Sequence, residues 1–184
     1  DLEIIITNFD SLKFPISKNN CLTIEKLYDV RNDKNFIIIA RVEALISGAG
    51  MNEALKRATA YENAGADAIL IHSKQNTPDE IFEFVDSWKG SAPIVVVPTT
   101  YDSVKISELE SHKIKMVIYA NQTLRATHAI ISKVLEQLKN SASINDLSID
   151  MTSMEEIFQL QETYNIKKQE EKIEKDLKKM GYID

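Results

Sequence analysis

Five short apolar runs punctuate this chain, and their spacing narrows it to one broad architecture. They are Leu2–Thr7 (LEIIIT), Phe36–Val42 (FIIIARV), Ala68–His72 (AILIH), Ile94–Val97 (IVVV) and Lys115–Ala120 (KMVIYA). Each is too short for a helix, and the runs are nearly continuous rather than alternating. That pattern suits strands covered on both faces. Helical patterns separate several of them. Met51, Ala54, Leu55, Ala58, Tyr61 and Ala64 recur at helical spacing, and Gly65 follows as a stop. Thr77-Pro78-Asp79-Glu80 reads as an N-cap, a first-turn proline and a capping glutamate. A further amphipathic helix is expected over 122–139, with Leu124, Thr127, Ile131, Val134, Leu135 and Leu138 on one stripe. The implied order is βαβαβαβαβα, the signature of a parallel α/β sheet. The connection from Val97 to Lys115 is short, so its helix is the weakest expectation.

The tail differs in kind. Ser153-Met154-Glu155-Glu156 is a capping box opening a helix through Ile157, Phe158 and Leu160. From Asn165 to Met180 the chain is rich in Lys and Glu. It is either a solvated helix or one that packs on a partner subunit. We therefore divide the chain into a partial (β/α) domain, 1–140, and a helical extension, 141–184, which is a candidate for contact with an oligomer partner.

Composition excludes several function classes. A formal net charge of −6 leaves no broad electrostatic footprint for nucleic acid. Cys21 is the one cysteine, so there is no disulfide framework and no cysteine-based zinc site, which fits a cytoplasmic protein. No apolar run approaches the roughly 20 residues of a membrane-spanning helix. The chain opens on Asp1 with no basic leader, as expected of a processed, trimmed or partial piece.

Polar groups cluster where the strands run out. Asn8 and Asp10 follow the first run, and Arg41 and Glu43 close the second. His72 and Ser73 close the third, Pro98-Thr99-Thr100-Tyr101 follows the fourth, and Asn121 follows the fifth. In parallel α/β folds that edge holds substrates. Arg41 and Glu43 are two apart and share a strand face. A guanidinium there can grip a carboxylate or phosphoryl group through two hydrogen bonds. The same pair can equally be a structural ion pair. His72 can donate to an anion or move protons, or it can be a satisfied, partly buried histidine. Asp10 can be a ligand or a turn former. His112 and His128 fall on helical or turn surfaces and carry no expected role. Gly48 and Gly50 precede a helix and could cradle a phosphate, but no third glycine completes a dinucleotide fingerprint.

The segment ARVEALISGAGMNEALKRATAYENAGADAILIHSK resembles phosphoenolpyruvate mutase, in the isocitrate lyase/phosphoenolpyruvate mutase superfamily. VVVPTTY and MVIYANQTLRA extend the likeness in order, and MEEIFQLQE is similar to the family's C-terminal helix. The resemblance runs over about 36–162. It implies a (β/α)8 barrel of which this chain carries strands 4–8, with a C-terminal helix swapped between subunits of a homo-oligomer. It implies Mg²⁺ and a small anionic substrate, phosphoenolpyruvate or phosphonopyruvate. Arg41 matches the family's anion-contacting arginine and His72 its active-site histidine. Asn121 is a further substrate-binding candidate, and Asp10 is the candidate metal ligand. The implied activity is interconversion of phosphoenolpyruvate and phosphonopyruvate in phosphonate biosynthesis. Phosphonopyruvate hydrolysis, C–C lysis and a non-catalytic interaction domain are the alternatives. The departures matter. The strands that carry the family's metal-associated aspartates are absent. Phe14-Pro15 aligns with the family's lid, but the lid lysine falls on Ile16 and the lid asparagine on Lys18. The 184-residue chain alone is therefore expected to be catalytically silent.

Overall fold

The computed structural model describes residues 3–7, 18–33 and 35–183. The expectations for Asn8, Asp10, Phe14-Pro15 and Ile16 lie outside the described residues, as does the Lys18 side chain.

Five strands form one parallel sheet: β1 (Glu3–Thr7), β2 (Phe36–Val42), β3 (Ala68–Ile71), β4 (Ile94–Val96) and β5 (Met116–Val117). Helices α1 (Lys18–Val30), α2 (Met51–Asn63), α3 (Asp79–Ser87) and α4 (Ile106–Ser111) connect them. The spatial order is β1-β2-β3-β4-β5, the same as the sequence order. A doubly wound sheet reverses its order at a switch point, whereas a barrel adds each strand beside the last. This is the barrel pattern, and five strands of it make a half-barrel.

Alternation along each strand builds two separate apolar layers. Ile38, Ala40 and Val42 of β2, with Ile69 and Ile71 of β3, pack on the helix side. There they meet Ala54, Ala58 and Tyr61 of α2, Ile81 and Phe84 of α3, and Leu109 of α4. Ile39, Ala68, Leu70 and Val95 face the other way and pack with Ile37, Val97 and Ile118. That second layer is the inner face of the half-barrel. Among the described residues its edge strands β1 and β5 each pair on one side, and Ile4 and Ile6 on β1 and Met116 on β5 are exposed.

Several expected boundaries shift. The third run ends as a strand at Ile71, leaving His72 in the loop, and the fourth ends at Val96. The fifth narrows from six residues to Met116–Val117. Its flanks still pair with β4, through Lys115 N–H to Ile94 O at 3.0 Å and Ile118 N–H to Val96 O at 2.9 Å. An edge strand has a neighbour on one side only, so little holds it extended further. Thr77 does not cap α3. Its hydroxyl donates to Asp79 at 2.8 Å, Pro78 takes the N-cap position, and no side chain caps the helix. Gly65 does end α2, with φ at +100°. A β-carbon there would also lie 2.8 Å from Tyr28 Cδ2.

The chain divides into two compact units, Asp1–Arg125 and Ala126–Asp184, with the boundary inside α5 (Gln122–Asn140). No α5 residue is buried, and Leu124, Ile130, Ile131, Leu135 and Leu138 are exposed. The second unit continues with α6 (Met154–Leu160) and α7 (Thr163–Met180). Ser153 caps α6 by accepting from Glu156 N–H at 3.1 Å. Phe158 and Tyr164 meet edge to face, and the Tyr164 hydroxyl donates to Glu155 at 2.6 Å. No helix among the described residues is long and apolar enough to cross a membrane.

Candidate active site

Arg41 is the penultimate residue of β2 and pairs in register with Leu70 of β3. It continues the parity of Ile37 and Ile39, and His72 continues that of Ala68 and Leu70. Both residues therefore belong to the inner side of the sheet, at the ends of neighbouring strands. Glu43 stands one residue beyond β2, level with His72 when the register is extended.

The Arg41 guanidinium donates through Nε to Glu43 Oε1. The Glu43 side chain is 6% exposed and that of Arg41 31%. Among the described residues the two Nη groups of Arg41 have no partner. The structural ion pair and the anion grip are therefore compatible, because one edge of the guanidinium is used and the other is open.

His72 is partly buried, and its Nδ1 is enclosed without a hydrogen-bond partner. Burial pushes its pKa below the ordinary histidine value, the Arg41 charge pushes the same way, and Glu43 opposes both. The two downward effects favour the neutral imidazole, which carries one N–H and one bare nitrogen.

Asn121 precedes α5, at the end of the chain leaving β5. Its backbone carbonyl accepts from Arg125 N–H at 2.9 Å, while its Oδ1 is buried and unpartnered. The structure thus brings Arg41, Glu43 and His72 close enough to act on one another, and sets Asn121 beyond the end of β5, two strands from β3.

Three loops at this edge are tied to one another. Lys74 Nζ donates to Ile46 O at 3.1 Å, joining the β3 and β2 loops. Thr100 Oγ1 donates to Ser73 O at 3.2 Å, joining the β4 and β3 loops. Ser73 is fully buried, donates its hydroxyl to Glu80 of α3 and accepts from Gln75 N–H at 3.1 Å. The backbone carrying His72 is therefore fixed from both sides. Sequence placed Ser73 and Thr100 at strand ends but gave no sign of this clamp, whose members are 27 and 7 residues apart. Tyr101 goes elsewhere: it is buried in the helix-side layer, and burial pushes its hydroxyl up to about 12.

Gly48 and Gly50 serve the turn between β2 and α2. Their φ angles, +77° and +85°, lie in the left-handed region, where a side chain is strained. The turn closes through Ser47 N–H to Glu43 O at 2.9 Å and Ala49 N–H to Ala44 O at 2.8 Å.

Mg²⁺ does not fit the described residues. No group of three His, Cys, Asp or Glu side chains among them is placed to hold a metal ion. Glu43 is engaged by Arg41 and Glu80 by Ser73.

The family model for phosphoenolpyruvate phosphomutase matches residues 14–139. The chain belongs to this family. Phosphonopyruvate hydrolase of Variovorax sp. (strain Pal2) is 46% identical over 132 residues, covering 71% of this chain and 46% of the relative. Phosphoenolpyruvate phosphomutase of Tetrahymena pyriformis is 38% identical over 149 residues, covering 81% of this chain and 50% of the relative. A crystal structure of phosphonopyruvate hydrolase in complex with oxalate and Mg²⁺ superposes with a TM-score of 0.82 at 36% identity. The match covers 89% of this chain and 60% of that one. The chain spans about half the length of the curated relatives it matches. The phosphomutase family and its relatives are enzymes, and the half-barrel here is the part of their fold that carries Arg41 and His72.

Proposed function

We propose that the complete protein is a phosphoenolpyruvate mutase that interconverts phosphoenolpyruvate and phosphonopyruvate. The observation that carries this proposal is the placement of Arg41 and His72 on one face at adjacent strand ends, with the Arg41 Nη edge open. A guanidinium edge of that kind fits a planar carboxylate or a phosphoryl group, and it stabilises charge that grows during transfer. His72, neutral and backed by a fixed loop, supplies a hydrogen bond to the same anion. Asn121, whose amide oxygen is buried without a partner, is proposed to join the same site from the loop after β5. In the mutase direction the O–P bond of phosphoenolpyruvate breaks and a C–P bond to the methylene carbon forms.

Mg²⁺ belongs to this proposal as a requirement of the complete protein. Its ligands then come from outside the described residues, Asp10 among them. The exposed stripe on α5 and the helical extension 141–184 are proposed to contact a second copy of the chain.

Hydrolysis is the second reading, favoured by the 46% identity to a phosphonopyruvate hydrolase. There water takes the phosphoryl group, and pyruvate and phosphate leave. One experiment separates the two. Phosphonopyruvate is given to the complete protein with Mg²⁺, and products are followed by phosphorus NMR. Phosphoenolpyruvate as product supports the mutase, and inorganic phosphate with pyruvate supports the hydrolase. Unchanged phosphonopyruvate removes both.

A further inference from the structure

We propose that Glu43 is a positioning residue for Arg41: it holds the Nε edge of the guanidinium so that the Nη edge stays turned to the anion beside His72. The proposal rests on the anion-binding role given to Arg41 above.

An arginine side chain has several rotatable bonds, and a strand end leaves it free to swing. One hydrogen bond at Nε removes most of that freedom, because the planar fork then points one way. Glu43 is suited to the task. Its side chain is 6% exposed, so its own position is set by packing. Its backbone is pinned as well, since Glu43 O accepts from Ser47 N–H at 2.9 Å in the turn that follows. Val42, between the two residues, is fully buried on the helix side, which fixes the strand under both. The anchor is therefore more rigid than the group it anchors. A pre-set guanidinium loses less freedom when it binds.

Glu43 also carries a charge that opposes an incoming anion. A purely electrostatic role predicts that removing the charge tightens anion binding. A positioning role predicts the reverse, and only while Arg41 is present. The two are separable by a double-mutant cycle.

The test uses the complete protein with Mg²⁺ at fixed concentration and oxalate as the probe, its affinity measured by calorimetry. Glu43→Leu, which removes the acceptor, is made alone and in an Arg41→Ala background, with Arg41→Ala as the reference. The expected result is a loss of oxalate affinity of about tenfold for Glu43→Leu in the presence of Arg41, in the range of coupled neighbours. In the Arg41→Ala background the same change gives no loss. Glu43→Asp, which keeps the charge on a shorter stem, recovers part of the affinity. An equal loss in both backgrounds, no change, or tighter binding in the presence of Arg41 overturns the proposal. If Arg41→Ala leaves oxalate affinity unchanged, the anion-binding role itself fails, and that outcome is read from the reference variant alone. Should Glu43→Leu fail to fold, Glu43→Asp carries the cycle, with weaker binding expected only beside Arg41.

Discussion

Ser73 donates its hydroxyl to Glu80, linking the residue beside His72 to the first turn of α3. Ser73 is fully buried, and its carbonyl also accepts from Thr100. Ser73→Ala removes the hydroxyl and leaves Gln75 N–H and Glu80 without their partner. The expected cost is about 0.5–1.5 kcal/mol, the net contribution of a hydrogen bond between partly buried groups. Urea unfolding checks it, and an unchanged midpoint would mean that water replaces the hydroxyl freely.

Gly65 is a second point of high sensitivity. Its φ of +100° is strained for any side chain, and a β-carbon would meet the Tyr28 ring at 2.8 Å. Gly65→Ala is expected to destabilise by roughly 1–3 kcal/mol, from backbone strain and overpacking together. Adding Tyr28→Ala removes the collision but not the strain. In thermal melts the paired variant should therefore show no steric penalty at position 65 while keeping the backbone one.

The depressed pKa of His72 has a pH consequence. The unfolded chain binds this proton more tightly than the folded one, so stability rises with pH through the window below the ordinary value of 6.5. The contribution is complete above that value and is lost as pH falls through the folded-state pKa. His72→Asn should flatten the fall in melting temperature between about pH 7 and 5, the range in which histidine titrates. An identical acid slope in both proteins would assign the effect to other groups.

The 184-residue chain, assayed with Mg²⁺, should neither interconvert phosphoenolpyruvate and phosphonopyruvate nor release pyruvate. The described residues offer no metal-binding cluster, and Glu43 is engaged by Arg41. Mg²⁺ needs oxygen ligands in near-octahedral order, usually with one or two carboxylates. Sustained Mg²⁺-dependent turnover by a monomer would show that Asp10 and the retained strands suffice.

The apolar stripe on α5 should drive self-association. Ile131 is 51% exposed and Leu135 61%, one turn apart on the same helix. Ile131→Glu with Leu135→Lys should shift sedimentation velocity profiles toward the monomer. An unchanged distribution would exclude this face from the contact.

The strands and their order were legible because burial on both faces of a parallel sheet writes a local code. Arg41 and Glu43, two apart, were legible as sharing one strand face, whereas His72 joins that face only through the register of β2 with β3. Gly65 and Ser153 were legible for the same reason, since a helix end is decided within a few residues. The length of β5 was not, because KMVIYA has the composition of a longer strand and its pairing depends on β4 alone. Nor was the role of Thr77, whose hydroxyl donates to Asp79 instead of accepting from a helix N–H. The limits of α1 were not legible either.

Sequence by itself thus determined the alternation, the parallel sheet and the strand ends at which chemistry can occur. Only the tertiary structure decided which edge of Arg41 is engaged, which nitrogen of His72 is enclosed, and which hydroxyls clamp the loops. Those outcomes depend on partners brought together from separate elements, as in Thr100 with Ser73 and Lys74 with Ile46. Local periodicity carries no information about such pairs. They exist only once the strands are side by side and their loops meet.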